Sequence, residues 1–310
     1  MTRNAVMRVV VLGGTGHVGS FMVPKLVEAG AEVVVVGSGR TPLPTSKGWS
    51  KVKYVSCNVQ NVEDIEKLKA ETPDVVIDMP GSVWNVYKKL RSVSKHVIAC
   101  GSLWMYGEPK VVPTPEQTQN ECLFDGYIQR YSEILELIKI GHKDGVAFTA
   151  IMPPNISGPG KIPLECLGGR SLEVHKDHGR GKEVVLPEGA DVLIGPCDAE
   201  DIADCFVKAV YNRDKSAYQI FNVGSEYSLT ATQFVEVYSN IYNTNIPIKR
   251  VSWTEYIANI SPDIGYWWHF KAHMCPDISK AKHLLDFHPR YTPEQSLERA
   301  VAWMKEQKML

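Results

Sequence analysis

The sequence lacks features that mark several classes of protein. Its seven cysteines are dispersed and form no Cys-x-x-Cys pair, a pattern that predicts reduced cytoplasmic thiols rather than a disulfide framework. No apolar run approaches the ~20 residues that a membrane-spanning helix needs. An apolar run typical of a strand begins by residue 9, which predicts that no signal peptide precedes the fold. We therefore expect a cytoplasmic protein with no membrane partner.

The charge balance also excludes a class of partner. The 310 residues carry a formal net charge of -1, and no basic stripe interrupts that balance. Proteins that bind nucleic acid through its phosphates need such a stripe, so no nucleic-acid partner is expected. A hydrophobic fraction of 44% with 22% charged residues predicts one large α/β domain or a domain with a smaller lobe.

The most informative segment follows the first apolar run. Residues 9–12 predict a strand buried on both faces, and Gly13, Gly16 and Gly19 come next in Gly-x-x-Gly-x-x-Gly spacing. A helical segment leads toward residue 30, and a second apolar run covers residues 33–36. Gly13 would permit a tight turn, Gly16 would let backbone approach a pyrophosphate, and Gly19 would let the helix pack closely. The helix N-terminus would then face the phosphates. A glycine-rich turn without a ligand is the weaker alternative.

Strand and helix patterns alternate through the first half of the chain. Further strands are predicted at residues 52–55, 74–78, 96–100 and 146–151, and helices at 62–69 and 127–140. This alternation predicts an α/β fold with a doubly wound parallel (Rossmann) sheet. We expect residues 1–155 to form the dinucleotide-binding domain, with 195–223 returning to it. Residues 156–194 and 224–310 would mainly form a smaller, interleaved C-terminal substrate lobe.

Three segments together carry a resemblance to a known family. They are Gly-Gly-Thr-Gly-His-Val-Gly at residues 13–19, Gly-Ser-Leu-Trp-Met-Tyr-Gly at 101–107 and Pro-Pro-Asn-Ile-Ser-Gly-Pro-Gly at 153–160. With these landmarks the chain resembles the extended short-chain dehydrogenase/reductase family, of the NAD-dependent epimerase/dehydratase type, over nearly its whole length. In that family a Ser, a Tyr and a Lys four residues after the Tyr do the chemistry.

The resemblance implies that Ser102 polarises a substrate oxygen and that Tyr127 is the general acid/base. The usual lysine position holds Tyr131, so the cation that normally lowers the tyrosine pKa and binds the nicotinamide ribose is missing. A free tyrosine has a pKa of about 10 and is a poor base at neutral pH. Arg130 is the nearest candidate replacement, and a solvated helix residue is an equal alternative for it.

The resemblance also implies a cofactor site. An NAD site usually has a carboxylate after the second strand, which binds the ribose hydroxyls. At that point this chain has Gly37, followed by Ser38 and Arg40. These two side chains would hold a 2′-phosphate, so NADP is favoured and NAD is the alternative; an ordinary surface arginine is the competing interpretation. Asn58 would contact the adenine or cap the following turn. The implied cofactor contacts are Gly13, Thr15, Gly16, His17, Val18, Gly19, Ser38, Arg40, Asn58, Met79, Pro80, Gly81 and Pro153.

For the substrate, the resemblance implies contacts from Ser102, Tyr127, Asn155, Trp267 and Trp268, although the two tryptophans would equally suit the core of the lobe. The histidine pairs at 175/178 and 269/273 lack a third ligand at a convincing spacing, so no metal is expected.

The expected function is NAD(P)-dependent hydride transfer on a sugar, sugar acid or nucleotide-sugar, as an oxidoreductase, epimerase or dehydratase. The alternative is a non-catalytic NAD(P)-binding regulator or sensor. The apolar side chains of the helix that carries Tyr127 would serve a homodimer contact or packing on the sheet, and the sequence leaves both open.

Overall fold

The computed structural model describes residues 6–310. Its central sheet has seven strands, all paired in parallel, in the order β11-β6-β5-β4-β1-β2-β3. This order reverses direction between β1 and β4, as in a doubly wound sheet. The strands of this sheet and of three two-stranded sheets (β7 with β10, β9 with β12, and β8 with β13) have these bounds: β1 Arg8–Leu12, β2 Glu32–Gly37, β3 Lys53–Ser56, β4 Val75–Asp78, β5 His96–Cys100, β6 Ala147–Met152, β7 Asn155–Ser157, β8 Val184–Pro187, β9 Leu193–Ile194, β10 Pro196–Asp198, β11 Gln219–Asn222, β12 Leu229–Thr230 and β13 Ile248–Val251.

Helices connect the strands and cover the sheet. The α-helices are α1 Gly19–Glu28, α2 Val62–Lys67, α3 Val83–Leu90, α4 Asp125–Asp144, α5 Leu172–Gly179, α6 Ala199–Tyr211, α7 Arg213–Ser216, α8 Ala231–Tyr242, α9 Trp253–Glu255, α10 Ile264–Trp267, α11 Ser279–Leu285 and α12 Pro293–Glu306. Short 3-10 turns cover Lys47–Trp49, Leu68–Glu71, Leu103–Tyr106 and Trp268–Phe270, and a π-helical turn covers Tyr256–Ile260. Among residues 6–310, none of these helices has the length and apolar character of a membrane span.

The apolar strands divide their side chains between two cores because successive residues of a strand point to opposite faces. Val9 and Val11 of β1 enter a cluster that includes residues of α1, α6 and α11. Val10 and Leu12 enter the other cluster, with residues of α3 and α4. A strand that is buried on both faces must be apolar at every position, and this is why these runs show no alternation in the sequence.

A third apolar cluster lies outside the sheet. It joins β8, β13, α8 and α12 through side chains such as Leu186, Val251, Phe234 and Leu297. The strands of this lobe are only two to four residues long, and β8 pairs with β13 across some sixty residues of chain. The lobe is therefore assembled from segments that are distant in the sequence.

The predicted α/β fold with a doubly wound parallel sheet is confirmed, and the predicted strands of the first half all form, with ends shifted by one residue at most. The sequence patterns missed α3 and α8. The domain boundaries stay a prediction, although Ala281 and Leu285 of α11 pack in a core of the sheet and not in the lobe cluster. The homodimer also stays a prediction.

Candidate active site

The glycine turn after β1 is built from close backbone approaches. Gly13 has a φ of +75°, and its N–H donates to the Val36 carbonyl at 2.8 Å. A Cβ on Gly19 would lie 2.4 Å from the carbonyl oxygen of Gly14. Gly19 is therefore required by the packing of the first turn of α1 on the glycine loop, as its predicted role implies. The loop holds the N-terminus of α1 at the carboxyl edge of the sheet.

A cavity of about 480 Å³ opens beside this turn, over the carboxyl ends of β1, β2 and β3. Crevices at this edge of open α/β sheets are where nucleotides bind. Seven of the implied cofactor residues line the cavity; they are Gly13, Thr15, Gly16, Ser38, Arg40, Asn58 and Pro80. The bare backbone of Gly13 and Gly16 leaves the cavity floor free of side chains, so the residues present fit a pyrophosphate-containing cofactor.

The remaining implied cofactor residues lie elsewhere. Val18 and Gly19 are buried at the start of α1, and Met79 packs against the first core cluster. His17 and Pro153 line a second cleft, described below. These five residues therefore do not line the nucleotide cavity, and neither does a sixth, Gly81, which lies in a neighbouring groove.

The end of β2 carries no carboxylate. Gly37 accepts a hydrogen bond from the Tyr54 hydroxyl at 2.9 Å, and the Arg40 Nε–H donates to the Ser38 Oγ at 2.9 Å. The carbonyl oxygen of the Asn58 side chain accepts from the Gln60 N–H at 3.1 Å, so this side chain caps its own turn. Among residues 6–310, the lining of the cavity contains no aspartate or glutamate.

A second cleft, of about 260 Å³, brings together the residues expected to do chemistry. It is lined by His17, Cys100, Gly101, Ser102, Trp104, Tyr127, Pro153, Pro154, Asn155, Ile156, Lys161 and Arg170. Ser102 lies just beyond the carboxyl end of β5, and Tyr127 lies in the first turn of α4. The structure therefore brings Ser102 and Tyr127 together in the lining of one cavity.

The local contacts of Ser102 explain how its hydroxyl is held. Ser102 caps the 3-10 turn Leu103–Tyr106, and its Oγ accepts from the Trp104 N–H at 3.3 Å. The hydroxyl hydrogen is then left for another acceptor. Trp104 packs edge-on against Tyr127, with ring centroids 6.2 Å apart, and so forms one wall beside both hydroxyl groups.

Tyr131, in the usual lysine position, does not line the cleft. Its side chain is buried in a core of the sheet and packs edge-on against Tyr106 at 5.5 Å. Burial raises the pKa of its phenol, although a hydrogen bond with Thr118 opposes this. The position that usually points a cation at the cofactor is therefore part of the hydrophobic core.

Arg130 extends from α4 to the loop that follows β4. Its guanidinium covers Gly81, where an added Cβ would lie 1.1 Å from Nη2. That nitrogen is buried and has no hydrogen-bond partner among residues 6–310. The interpretation of Arg130 as a solvated helix residue is therefore wrong. Next to it, burial raises the pKa of the Asp78 carboxyl to about 7, and the charge of Arg130 opposes that rise.

The expected substrate residues fall into two groups. Asn155 lines the cleft, and its Nδ2 is buried without a partner among the described residues. Trp267 and Trp268 do not line the cleft. Trp268 packs edge-on against Phe124 at 6.1 Å, and Trp267 packs edge-on against Trp253 at 6.4 Å. The two tryptophans thus join a sheet core to the lobe core, the alternative that the sequence left open.

The sequence patterns did not predict two cationic residues of the cleft. Lys161 and Arg170 come from the Gly- and Pro-rich segment that follows β7, where no periodicity signals a structure. Arg170 donates to the carbonyls of Ile156 and Ile162, each at 2.8 Å. A cation soon after the Pro-Pro-Asn landmark was the one available sequence signal.

The histidines near this segment are engaged in packing. Nδ1 of His175 lies 3.1 Å from the Tyr242 hydroxyl, and Nε2 lies 3.2 Å from the Pro163 carbonyl. Burial lowers the pKa of both His175 and His178 to about 4. Within the described part of the chain, no group of three His, Cys, Asp or Glu side chains is placed to hold a metal ion.

The glycine turn and sheet order also agree with comparisons to known proteins. Residues 9–93 match the NAD dependent epimerase/dehydratase family. The Arabidopsis thaliana chloroplast stem-loop binding protein of 41 kDa b is 22% identical over 306 residues, which cover 92% of this chain and 75% of that protein.

Solved structures of epimerases share the fold over almost the whole chain. The UDP-glucose 4-epimerase of Thermotoga maritima, solved with UDP-glucose, has a TM-score of 0.75 and 20% identity, covering 97% of this chain and 100% of that one. The UDP-glucuronic acid 4-epimerase of Bacillus cereus, solved with NAD, has a TM-score of 0.76 and 15% identity, covering 97% and 99%. These structures show that the chain has the fold of these epimerases, and the family match over residues 9–93 agrees with the resemblance to extended short-chain dehydrogenases/reductases.

Proposed function

We propose that this chain is an NAD(P)-dependent enzyme that transfers hydride at a hydroxyl or ketone carbon of a sugar, sugar acid or nucleotide-sugar. The observation that carries the proposal is the shared cleft of Ser102 and Tyr127 beside the glycine turn. The structural neighbours include a UDP-glucose 4-epimerase and a UDP-glucuronic acid 4-epimerase, and these two activities support a sugar-related substrate. Reduction, epimerisation and dehydration all remain within the proposal because each begins with the same hydride step.

The cofactor would be held by the glycine turn and by Ser38, Arg40 and Pro80, which line the cavity that fits it. When bound, its nicotinamide supplies or accepts the hydride. We propose NADP(H) as the preferred form because Gly37 leaves no carboxylate for the ribose hydroxyls, and because the Arg40–Ser38 pair offers a cation and a hydroxyl to a 2′-phosphate.

The chain's own residues handle the proton. Since the Ser102 Oγ already accepts the Trp104 N–H, the Ser102 hydroxyl donates to the substrate oxygen and polarises it. Tyr127 then passes a proton to that oxygen during reduction and removes one during oxidation. Both groups sit in a cleft with an apolar wall, where a donated hydrogen bond is stronger than it is in water.

We assign the electrostatic role of the missing lysine to Arg130 and not to Tyr131. Its charge is felt by two groups near the carboxyl ends of β4 and β5, Asp78 and Cys100. Cys100 lines the reaction cleft, so the guanidinium acts on that part of the molecule from behind. Arg130 therefore places a positive charge behind the cleft that Ser102 and Tyr127 line.

The test is turnover. The protein is assayed with NADPH and with NADP⁺ across a panel of sugars, sugar acids and nucleotide-sugars. Tyr127→Phe should lower the chemical step by ~10²–10⁴-fold with cofactor affinity nearly unchanged. Tyr211→Phe is the matched control, because Tyr211 is exposed on α6 and outside the cleft. A fully active Tyr127→Phe enzyme would refute the assigned proton transfer.

One observation favours a second candidate. The burial of Tyr131 in the core means that the usual lysine chemistry has no direct substitute at that position. A non-catalytic NAD(P)-binding regulator or sensor is therefore the alternative, and tight cofactor binding without turnover of any compound in the panel would support it. The expectations of cytoplasmic location and of no nucleic-acid partner stay predictions.

A further inference from the structure

The reaction cleft contains more positive charge than the proton chemistry requires. Lys161 and Arg170 both line it, and no aspartate or glutamate is among its lining residues. Within residues 6–310, neither side chain forms an ion pair with a carboxylate. Two cations that face one small cleft without an anion repel each other, and an anionic ligand would relieve that repulsion.

Arg170 is fixed in position without being neutralised. Its two terminal nitrogens donate to the carbonyls of Ile156 and Ile162, which hold the guanidinium plane but carry no full charge. The carboxyl of Glu165, whose charge acts on Arg170, itself accepts hydrogen bonds from the N–H groups of Leu167 and Gly169. Burial raises the pKa of Glu165 to about 7, so it is partly protonated at neutral pH and offsets Arg170 incompletely.

The charge of Arg170 affects two other side chains of the cleft. Arg170 lowers the pKa of Lys161 and of His17, in each case added to the effect of burial. The Nε2 of His17 lies 2.9 Å from the Pro159 carbonyl, so this ring packs against the same loop that carries Lys161. His17 is uncharged at neutral pH and adds no anion to the site.

A neutral donor also faces the cleft without a partner. Asn155 is 7% exposed, and its Nδ2 is buried with no hydrogen-bond acceptor among the described residues. A buried amide without a partner costs free energy unless a ligand satisfies it. Asn155 lies on β7, between the proline landmark and the loop of Lys161. An oxyanion bound by Lys161 and Arg170 would therefore lie in the same cavity as the Asn155 amide.

The size and walls of the cleft limit the ligand. Its volume is about 260 Å³, below the ~300–1,000 Å³ that is typical of sites for drug-sized molecules. Trp104, Pro153 and Ile156 supply apolar walls. A small carbon skeleton with hydroxyl groups and one terminal charged group matches these dimensions.

We propose that the cleft selects a small substrate that carries an oxyanion, either a carboxylate or a phosphate, held by Lys161, Arg170 and Asn155, with its reacting hydroxyl or ketone carbon at Ser102 and Tyr127. The inference rests on the proposed function and narrows it to sugar acids and sugar phosphates over neutral sugars. The nucleotide portion of a nucleotide-sugar is not required for recognition.

The experiment measures binding by calorimetry, with the nucleotide cavity blocked by saturating NADP⁺. Three probes of one skeleton are compared: glucose, glucuronate and glucose 6-phosphate. We expect at least one of the two acids to bind about tenfold or more tightly than glucose, because a charge-assisted hydrogen bond supplies that difference. The two acids distinguish a carboxylate site from a phosphate site.

Lys161→Gln is the informative variant because Lys161 is exposed at the rim and its loss should leave the fold intact. It should weaken binding of the acid about three- to tenfold and leave glucose unaffected. Lys215→Gln, which removes the same charge from an exposed site on α7, should change neither. Raising the salt concentration should weaken the binding of the acid and leave the binding of glucose unchanged.

The outcomes separate this inference from the proposed function. Acid-selective binding that depends on Lys161, without turnover of any compound, supports the anion site and counts against hydride transfer. Turnover of a neutral sugar with no preference for either acid supports hydride transfer and overturns the anion site. Equal binding of the three probes, no binding of any of them in the millimolar range, or a Lys161→Gln variant with unchanged affinity also overturns it.

Discussion

The sheet half of the molecule and its C-terminal lobe are built in different ways. In the sheet half, each strand is one continuous apolar run that feeds two cores, as Val9 and Val10 of β1 do on opposite faces. In the lobe, two strands of four residues, β8 and β13, meet from distant parts of the chain. The first half is therefore encoded locally, whereas the lobe depends on contacts between distant segments.

Both regions bury titratable side chains. Asp78 and His96 are buried in strands of the sheet, and the lobe buries His175 and His178 beside the ring of Tyr238. The reaction cleft draws on both, with hydroxyl groups from the sheet half and cations from the loop that leads into the lobe. Changes to the sheet half and changes to the lobe should therefore both alter folding, while changes in the cleft should alter what it binds.

The largest effect is expected from a lysine placed in the sheet core. Tyr131→Lys would restore the usual family residue, yet the position is buried against Tyr106 and does not line the cleft. Burying an unpaired ammonium costs about 3–5 kcal/mol, or forces the lysine to lose its proton. We expect a large loss of stability in chemical denaturation and no gain in oxidation rate.

Ser132→Lys is the matched control because Ser132 is the next residue of α4 and is exposed. Its stability should stay within about 0.5 kcal/mol of the starting protein. A stable Tyr131→Lys variant whose oxidation limb moves to lower pH would show that this position can face the cofactor, contrary to the buried placement.

A smaller loss is expected from one methyl group in the glycine turn. In Gly19→Ala the new Cβ would meet the backbone of Gly14 at 2.4 Å, where no flexible side chain can yield. Overpacking of this kind costs about 1–3 kcal/mol, and the displaced loop should also weaken cofactor binding. Gly126→Ala is the control, since a Cβ there meets nothing within 4 Å. Equal melting temperatures for the two variants would contradict the close approach.

The sequence was sufficient to predict the sheet and the cavity residues of the glycine turn because both follow from local patterns. It was also sufficient to place Ser102 and Tyr127 together, through spacing to a family landmark. It did not predict Lys161 and Arg170, because a loop without periodicity carries no signal for where its side chains point. It favoured a substrate pocket for Trp267 and Trp268 over the core of the lobe, although large aromatic residues suit both, and the packing places them between the two cores.

In the lobe, the expected effect is a change in acid sensitivity. Burial lowers the pKa of His178 from 6.5 to about 4, so the folded state binds fewer protons than the unfolded chain in that interval. The stabilisation is therefore complete above pH 6.5 and is lost as the pH falls toward 4. His178→Gln keeps an acceptor for the Cys166 N–H and should reduce this acid-dependent loss by about 1–2 kcal/mol.

The measurement is the free energy of unfolding above pH 6.5 and near pH 4, for this variant and for His283→Gln, which alters an exposed histidine of α11. Glu165 has the opposite effect on stability. Because its pKa is raised in the fold, its contribution to the free energy of unfolding declines as the pH rises toward 7. A pH dependence identical in the His178→Gln and starting proteins would mean that His178 does not remain neutral in the fold.

The smallest effect is expected at the exposed rim of the sheet half, at Arg40. Its guanidinium is held by Ser38 but open to solvent, so salt and water screen its attraction for a 2′-phosphate. Arg40→Ala should weaken NADP(H) binding about three- to tenfold and leave NAD(H) unchanged. Lys47→Ala, which removes another exposed cation outside the cavity lining, should alter neither. Fluorescence titration of both cofactors decides, and tighter binding of NAD(H) by the unmodified protein would reverse the assignment whatever the variant does.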